Sequence, residues 1–222
     1  MPTATRDDRA IKTDVEEELD WTPEVDAAGV GVAVEDGTVT LSGEIDTMAE
    51  RIAARRAALR VRGVRALVDD MVIHPRAAWP VTETDIAKQV DRALRAAINV
   101  PDAVKAQIRD HTVTLVGEVD WEYQRVAARR AAEYLRGVVR VENQITLRSR
   151  PSAHDTEKRI RDALTRNALL DAQTIHVSVE GSNVVLTGVV HSWAEKSQAG
   201  YAAWSSPHVM DVDNRISVEP LQ

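Results

Sequence analysis

Along the chain, apolar positions recur first at every fourth residue and then at every second one, and the sequence runs through that order three times. Ile11, Val15 and Leu19 open the first round, Ile86, Val90 and Leu94 the second, Ile160 and Leu164 the third. That spacing lays one apolar stripe along a helix. A capping pattern precedes each stripe, as Thr5-x-x-Asp8, Thr82-x-x-Asp85 and Ser152-x-x-Asp155, and predicts where the helices start. The period then shifts to two, at Val30/Val32/Val34, Val104/Ala106/Ile108 and Ile175/Val177/Val179, which marks a strand with one buried face.

Turn residues follow at Glu35-Asp36-Gly37, Asp110-His111 and Glu180-Gly181-Ser182-Asn183. They reverse the chain into a second strand and so predict a hairpin. This second strand carries the strongest repeat, Thr38-Val39-Thr40-Leu41-Ser42-Gly43, then Thr112-Val113-Thr114-Leu115-Val116-Gly117, then Asn183-Val184-Val185-Leu186-Thr187-Gly188. The glycines lie 74 and then 71 residues apart, too far for a solenoid repeat, so each copy reads as a small domain. An alanine-rich helix comes next, with Ala53-Ala54-Arg55-Arg56-Ala57-Ala58 matching Ala127-Ala128-Arg129-Arg130-Ala131-Ala132. Gly63 and Gly137 are expected to stop it in a left-handed cap. A third strand closes each copy, through Val64/Leu67/Met71/Ile73, Val138/Val141/Ile145/Leu147 and Val209/Val212/Ile216/Val218.

The predicted fold class is therefore α+β: three tandem units, each helix-strand-strand-helix-strand, with two helices packed on a three-stranded mixed sheet. The units span residues 5–74, 82–148 and 152–219, joined by the proline-bearing segments 74–80 and 148–152. At this size a unit buries only about 60% of its unfolded surface, so contact between neighbours is expected to add stability.

With these elements in place, the repeat resembles the BON domain of bacteria. The matching residues are Val39, Leu41, Gly43, Gly63 and Val64; Val113, Leu115, Gly117, Gly137 and Val138; and Val184, Leu186, Gly188 and Val209. Copy three departs from the pattern, with His208 where the second glycine belongs. Three copies together resemble the proteins similar to the osmotically inducible OsmY family. The resemblance implies a role in osmotic or envelope stress and attachment to phospholipid surfaces or partner proteins. Some members of the family are coupled to potassium-ion or small-ligand sensing, which is the alternative reading.

Composition narrows the chemistry. Without cysteine there is neither a disulfide nor a thiolate. The polar start, Met1 to Arg9, and the lack of an apolar run long enough to span a membrane give a cytoplasmic expectation with no transmembrane segment. A net charge of −7 argues against nucleic acid as a partner. The charge is uneven, −7 over residues 1–74, +3 over 75–150 and −3 over 151–222. The middle unit alone is basic.

Comparing the copies also filters for catalysis. Ser42 is replaced by Val116 and Thr187, and Glu44 and Glu118 by Val189. The six histidines fall at unrelated places and form no H-x-x-x-H pair. No catalytic residue, metal site or cofactor is expected. What remains is basic and aromatic: Arg125, Arg129, Arg130 and Arg136, with Trp121, Tyr123 and Tyr134 at the margins of the second helix. This combination suits an anionic phospholipid surface or a protein partner. The same arginines also fit a solvated helix face paired with Glu50, Glu122 and Glu133, and both readings stand open. In copy three Lys196, Trp193, Tyr201 and Trp204 supply aromatic surface instead. Trp21, Trp121 and Trp193 are expected under loops or between units. Oligomeric state is not readable from the sequence.

Overall fold

A computed structural model describes residues 7–74, 81–149, 155–167, 170 and 172–219. It contains three units of the same order. Unit 1 holds α1 (Asp8–Asp20), β1 (Val30–Glu35), β2 (Thr38–Ile45), α2 (Met48–Arg60) and β3 (Ala66–Ile73). Unit 2 holds α3 (Glu83–Ala96), β4 (Lys105–Arg109), β5 (Thr112–Val119), α4 (Glu122–Glu133) and β6 (Arg140–Leu147). Unit 3 holds α5 (Thr156–Thr165), β7 (Ile175–Glu180), β8 (Asn183–Val190), α6 (Trp193–Trp204), β9 (Asp211–Asn214) and β10 (Ser217–Val218).

In every unit the strand bearing the repeated motif is central, antiparallel to the strand before it and parallel to the one after. The sheet is therefore mixed, as expected. Both helices cover one of its faces, because alternate residues such as Val39/Leu41, Val113/Leu115 and Val184/Leu186 are buried beneath them. Each unit has its own core, and the helix stripes Ile11/Val15/Leu19, Ile86/Val90/Leu94 and Ile160/Leu164 are fully part of it. The third strand of unit 3 is interrupted at Arg215 and Ile216, yet β9 and β10 keep one register against β8.

The motif glycines carry a specific constraint. Gly43, Gly117 and Gly188 have φ of 114°, 137° and 127°, a region that side chains avoid. A Cβ there would lie 2.2, 2.5 and 2.0 Å from the carbonyl oxygens of Gly29, Ala103 and Thr174. Only glycine lets the hairpin strands close at that point.

The local signals need several corrections. Thr82 and Asp85 do form a reciprocal capping box, but α1 is capped by Asp7, whose carboxylate accepts from Arg9 N. Asp8 instead accepts from the backbone of Asp36 and Gly37, clamping the hairpin turn. Thr5, Ser152 and the linker prolines lie outside the described residues. Gly63 and Gly137 have positive φ but do not stop the helices, which end at Arg60 and Glu133; they turn the chain into β3 and β6. His208 makes that turn without a positive φ. The backbone bonds survive all the same: Val209 N donates to Ser206 O and Met210 N to Ser182 O, as Val138 N does to Leu135 O and Val139 N to His111 O.

Candidate functional site: the second-helix surface

A polar position interrupts the inward-facing row of each third strand, 26 residues past the motif glycine: Asp69, Asn143 and Asn214. Each side-chain oxygen accepts from the backbone N–H two residues on, in Met71, Ile145 and Ile216. Asparagine has a donor left over. Asn143 Nδ2 donates to Arg125 O at 3.0 Å and Asn214 Nδ2 to Lys196 O at 2.9 Å, tying the third strand to the second helix. Aspartate cannot donate, so in unit 1 the direction reverses, and Arg51 Nε donates to Asp69 Oδ2 at 2.9 Å. Arg55 adds a longer ion pair to the same carboxylate.

This exchange decides where the cation eight residues past the glycine goes. Arg51 is held inward by Asp69. Arg125 and Lys196 face amides, which do not draw their cationic groups inward, and both reach aromatic rings. The Arg125 guanidinium lies 5.1 Å from the centre of the Trp204 ring, and Lys196 Nζ lies 5.2 Å from that of Trp193.

Both tryptophans sit on α6, at its two ends, and each reaches another unit. Trp193 Nε1 donates to Val64 O of unit 1 at 3.1 Å, and α2 lies against α6. Trp204 packs on the cores of both unit 2 and unit 3. Trp193 is therefore between units, as expected. Trp204 is not open aromatic surface but an inter-unit contact. Trp121 is half-buried at the cap of α4. Trp21, in contrast, is 85% exposed rather than packed under a loop.

The structure divides the predicted basic cluster in two. Arg125 lies against Trp204 of unit 3, and Arg129 follows it one turn along α4. Arg125 Nε lies 2.6 Å from Glu122 Oε2, and Arg129 Nε 3.2 Å from Glu133 Oε1. The first contact is a partly buried ion pair. Burial pushes the Glu122 carboxyl above its ordinary range, and Arg125 only partly offsets it. Arg130 and Tyr134 instead share an exposed ridge with Tyr123, on the side of α4 opposite the buried Ala128 and Ala132. Arg136 is exposed just beyond the helix. Among the described residues neither Arg130 nor Arg136 forms an ion pair.

Glu50 departs from the expected arginine pairing. It is buried and accepts from the backbone N–H groups of Asp26 and Asp46. Gln124 accepts from Asp120 N and Trp121 N, and Glu195 from His191 N and the Ser192 hydroxyl. These three residues stand at one repeat position and fix the start of the second helix. A constant spacing of 7, 8 and 26 residues from the glycine was the signal for this framework.

Fold and framework together define a tandem-repeat protein of three α+β units built on one polar template. The family model for the BON domain matches residues 7–75, 82–149 and 152–220, and the chain belongs to the BON domain family. The family is associated with phospholipid binding and with stress-response proteins. No curated relative matches the chain in sequence. Among solved structures it is similar to the C-terminal domain of CdsD, a structural protein of the type III secretion system of Chlamydia trachomatis. That likeness has 13% identity over 96% of this chain and 100% of that one, with a TM-score of 0.27. A second CdsD structure gives 12% identity over 95% and 92%, with a TM-score of 0.28. At such scores the likeness carries nothing further for this chain. Among the described residues no helix is long and apolar enough to cross a membrane.

Proposed function

We propose that this protein is a non-catalytic binding protein of the stress response that attaches to anionic phospholipid surfaces through its middle BON unit. The observation that supports this reading is the outward ridge of α4, where Tyr123, Arg130 and Tyr134 stand in one line with Arg136 beyond the helix. Tyrosine places an apolar body and a polar tip at a headgroup boundary, and each basic residue near such a surface contributes about 1 kcal/mol. Units 1 and 3 offer no matching ridge, since Ala49 and Ala194 stand where unit 2 has Tyr123.

Co-sedimentation of the full chain with phosphatidylglycerol vesicles tests the reading. Binding is expected to fall with rising salt, and Arg130→Glu with Arg136→Glu should weaken it by more than about tenfold, following the same per-charge estimate. Unchanged sedimentation of that variant would discard the lipid surface and leave a protein partner.

A second reading, a small-ligand or potassium-ion sensor, draws support from a cleft of about 480 Å³ between α3 and β4. Its walls combine Leu94, Val100 and Val104 with Asp91, Arg95 and Asp102. A melting temperature that rises with potassium but not with sodium at equal ionic strength would favour it.

A further inference from the structure

Because both helices cover one face of each sheet, the other face is bare. In unit 2 the pairing register sets Arg109 opposite Thr112, and Thr112 beside Arg140. The three residues form one row across β4, β5 and β6. Alternation places them all on the bare face, since Ile108, Val113 and Val141 pack into the core. With strands about 4.8 Å apart, the two arginine backbones lie about 10 Å from each other, close enough for both guanidinium groups to converge above the threonine hydroxyl.

Both arginines are exposed, and among the described residues neither forms an ion pair. The nearest carboxylates are Asp110, in the turn, and Glu142, in the next row beside Thr114; neither pairs with either arginine. Glu118 and Asp120, farther along, are taken up by Arg148. His111 is held by Gly137 O at 3.0 Å. The fold does not require cations here: the same row reads Glu35-Thr38-Ala66 in unit 1 and Glu180-Asn183-Asp211 in unit 3.

From this row we infer that the bare face of the unit 2 sheet binds a phosphate group, gripped by Arg109 and Arg140 above Thr112. Two planar forks and a hydroxyl donor suit a tetrahedral oxyanion, which can accept from both sides at once. The row faces away from α4. A membrane held by the α4 ridge would leave it pointing into solution, so the ligand is a soluble phosphate compound. The soluble source rests on the lipid reading of α4, whereas the row of Arg109, Thr112 and Arg140 does not.

The test is an amide chemical-shift titration of the full chain with inorganic phosphate and with pyrophosphate, against sodium chloride at equal ionic strength. Saturable shifts at Arg109, Thr112 and Arg140 are expected. The double variant Arg109→Glu, Arg140→Asp installs the residues that unit 3 carries at these register positions. It should keep the melting temperature and weaken binding by at least about tenfold, the scale of one lost charge-assisted contact. Arg109→Gln with Arg140→Gln serves if the acidic pair disturbs folding. No saturable shift, or equal shifts in parent and variant, overturns the site. Phosphatidylglycerol vesicles separate the phosphate sources: sedimentation should match the parent, and its loss would assign the row to a lipid headgroup and overturn the soluble ligand.

Discussion

Helices α4 and α6 occupy the same place in their units, yet α4 keeps an outward ridge open while α6 anchors both its ends on other units. In α6 the positions equivalent to Glu122 and Glu133 are Trp193 and Trp204, which engage unit 1 and unit 2. In α4 those positions are charged, and Tyr123, Arg130 and Tyr134 stay open. One scaffold is repeated three times. A few residue differences at its second helix make one copy an internal bracket and leave another with an open ridge. A repeat protein of this kind is misread when its units are taken as interchangeable beads.

If the two units share a scaffold, damage to it should be alike in both. Gly117→Val and Gly188→Val should each cost more than about 4 kcal/mol, because a side chain at either site meets a carbonyl oxygen at sub-contact distance. Chemical denaturation would show it, and a mild loss at either site would break the equivalence.

The helices themselves should respond unequally. Trp204→Ala should destabilise by about 3 kcal/mol and make unfolding less cooperative, with unit 2 and unit 3 separating in calorimetry. Tyr134→Ala, on the open ridge of α4, should change stability by no more than about 0.5 kcal/mol.

Asn143→Asp sharpens the point about cation release. The carboxylate should recapture Arg125, as Asp69 captures Arg51, and Arg125 O loses its amide donor. A loss of about 1–2 kcal/mol is expected, along with a change in Trp204 fluorescence as the cation leaves its ring.

The smallest effect concerns Glu122. Its folded-state pKa is raised by burial, so its contribution favours folding below the ordinary glutamate range and is lost as pH rises through the raised value. Glu122→Gln should therefore stabilise the protein at neutral pH. The gain should vanish below about pH 4, as pH-dependent thermal melts would show.

Hydropathy made the elements and the sheet layout legible, because burial on one face imposes its period directly on Val39/Leu41 and Ile11/Val15/Leu19. The glycines are legible too, although Gly63 and Gly137 read as helix stops and in the fold serve the turn into the strand. The inter-unit surface was not. A tryptophan pattern records that a ring is present, not whether it meets lipid, loop or neighbour: Trp21 is open and Trp204 lies between units, the reverse of the expectation. The polar template was within reach. Asp69, Asn143 and Asn214 break an apolar row at one fixed spacing, and a polar residue on an inward position signals a hydrogen-bonded tie.

The bracket made by α6 also has a meaning in time. It lies in the last third of the chain, and the ribosome adds about 5–20 residues each second. Units 1 and 2 can close their own cores while the segment bearing Trp193 and Trp204 is still unmade. For several seconds a nascent chain carries two finished domains whose mutual arrangement is undecided, with the seat of Trp204 on unit 2 uncovered. Assembly of the whole waits on the final unit, much as an arch stands only after its top stone is set.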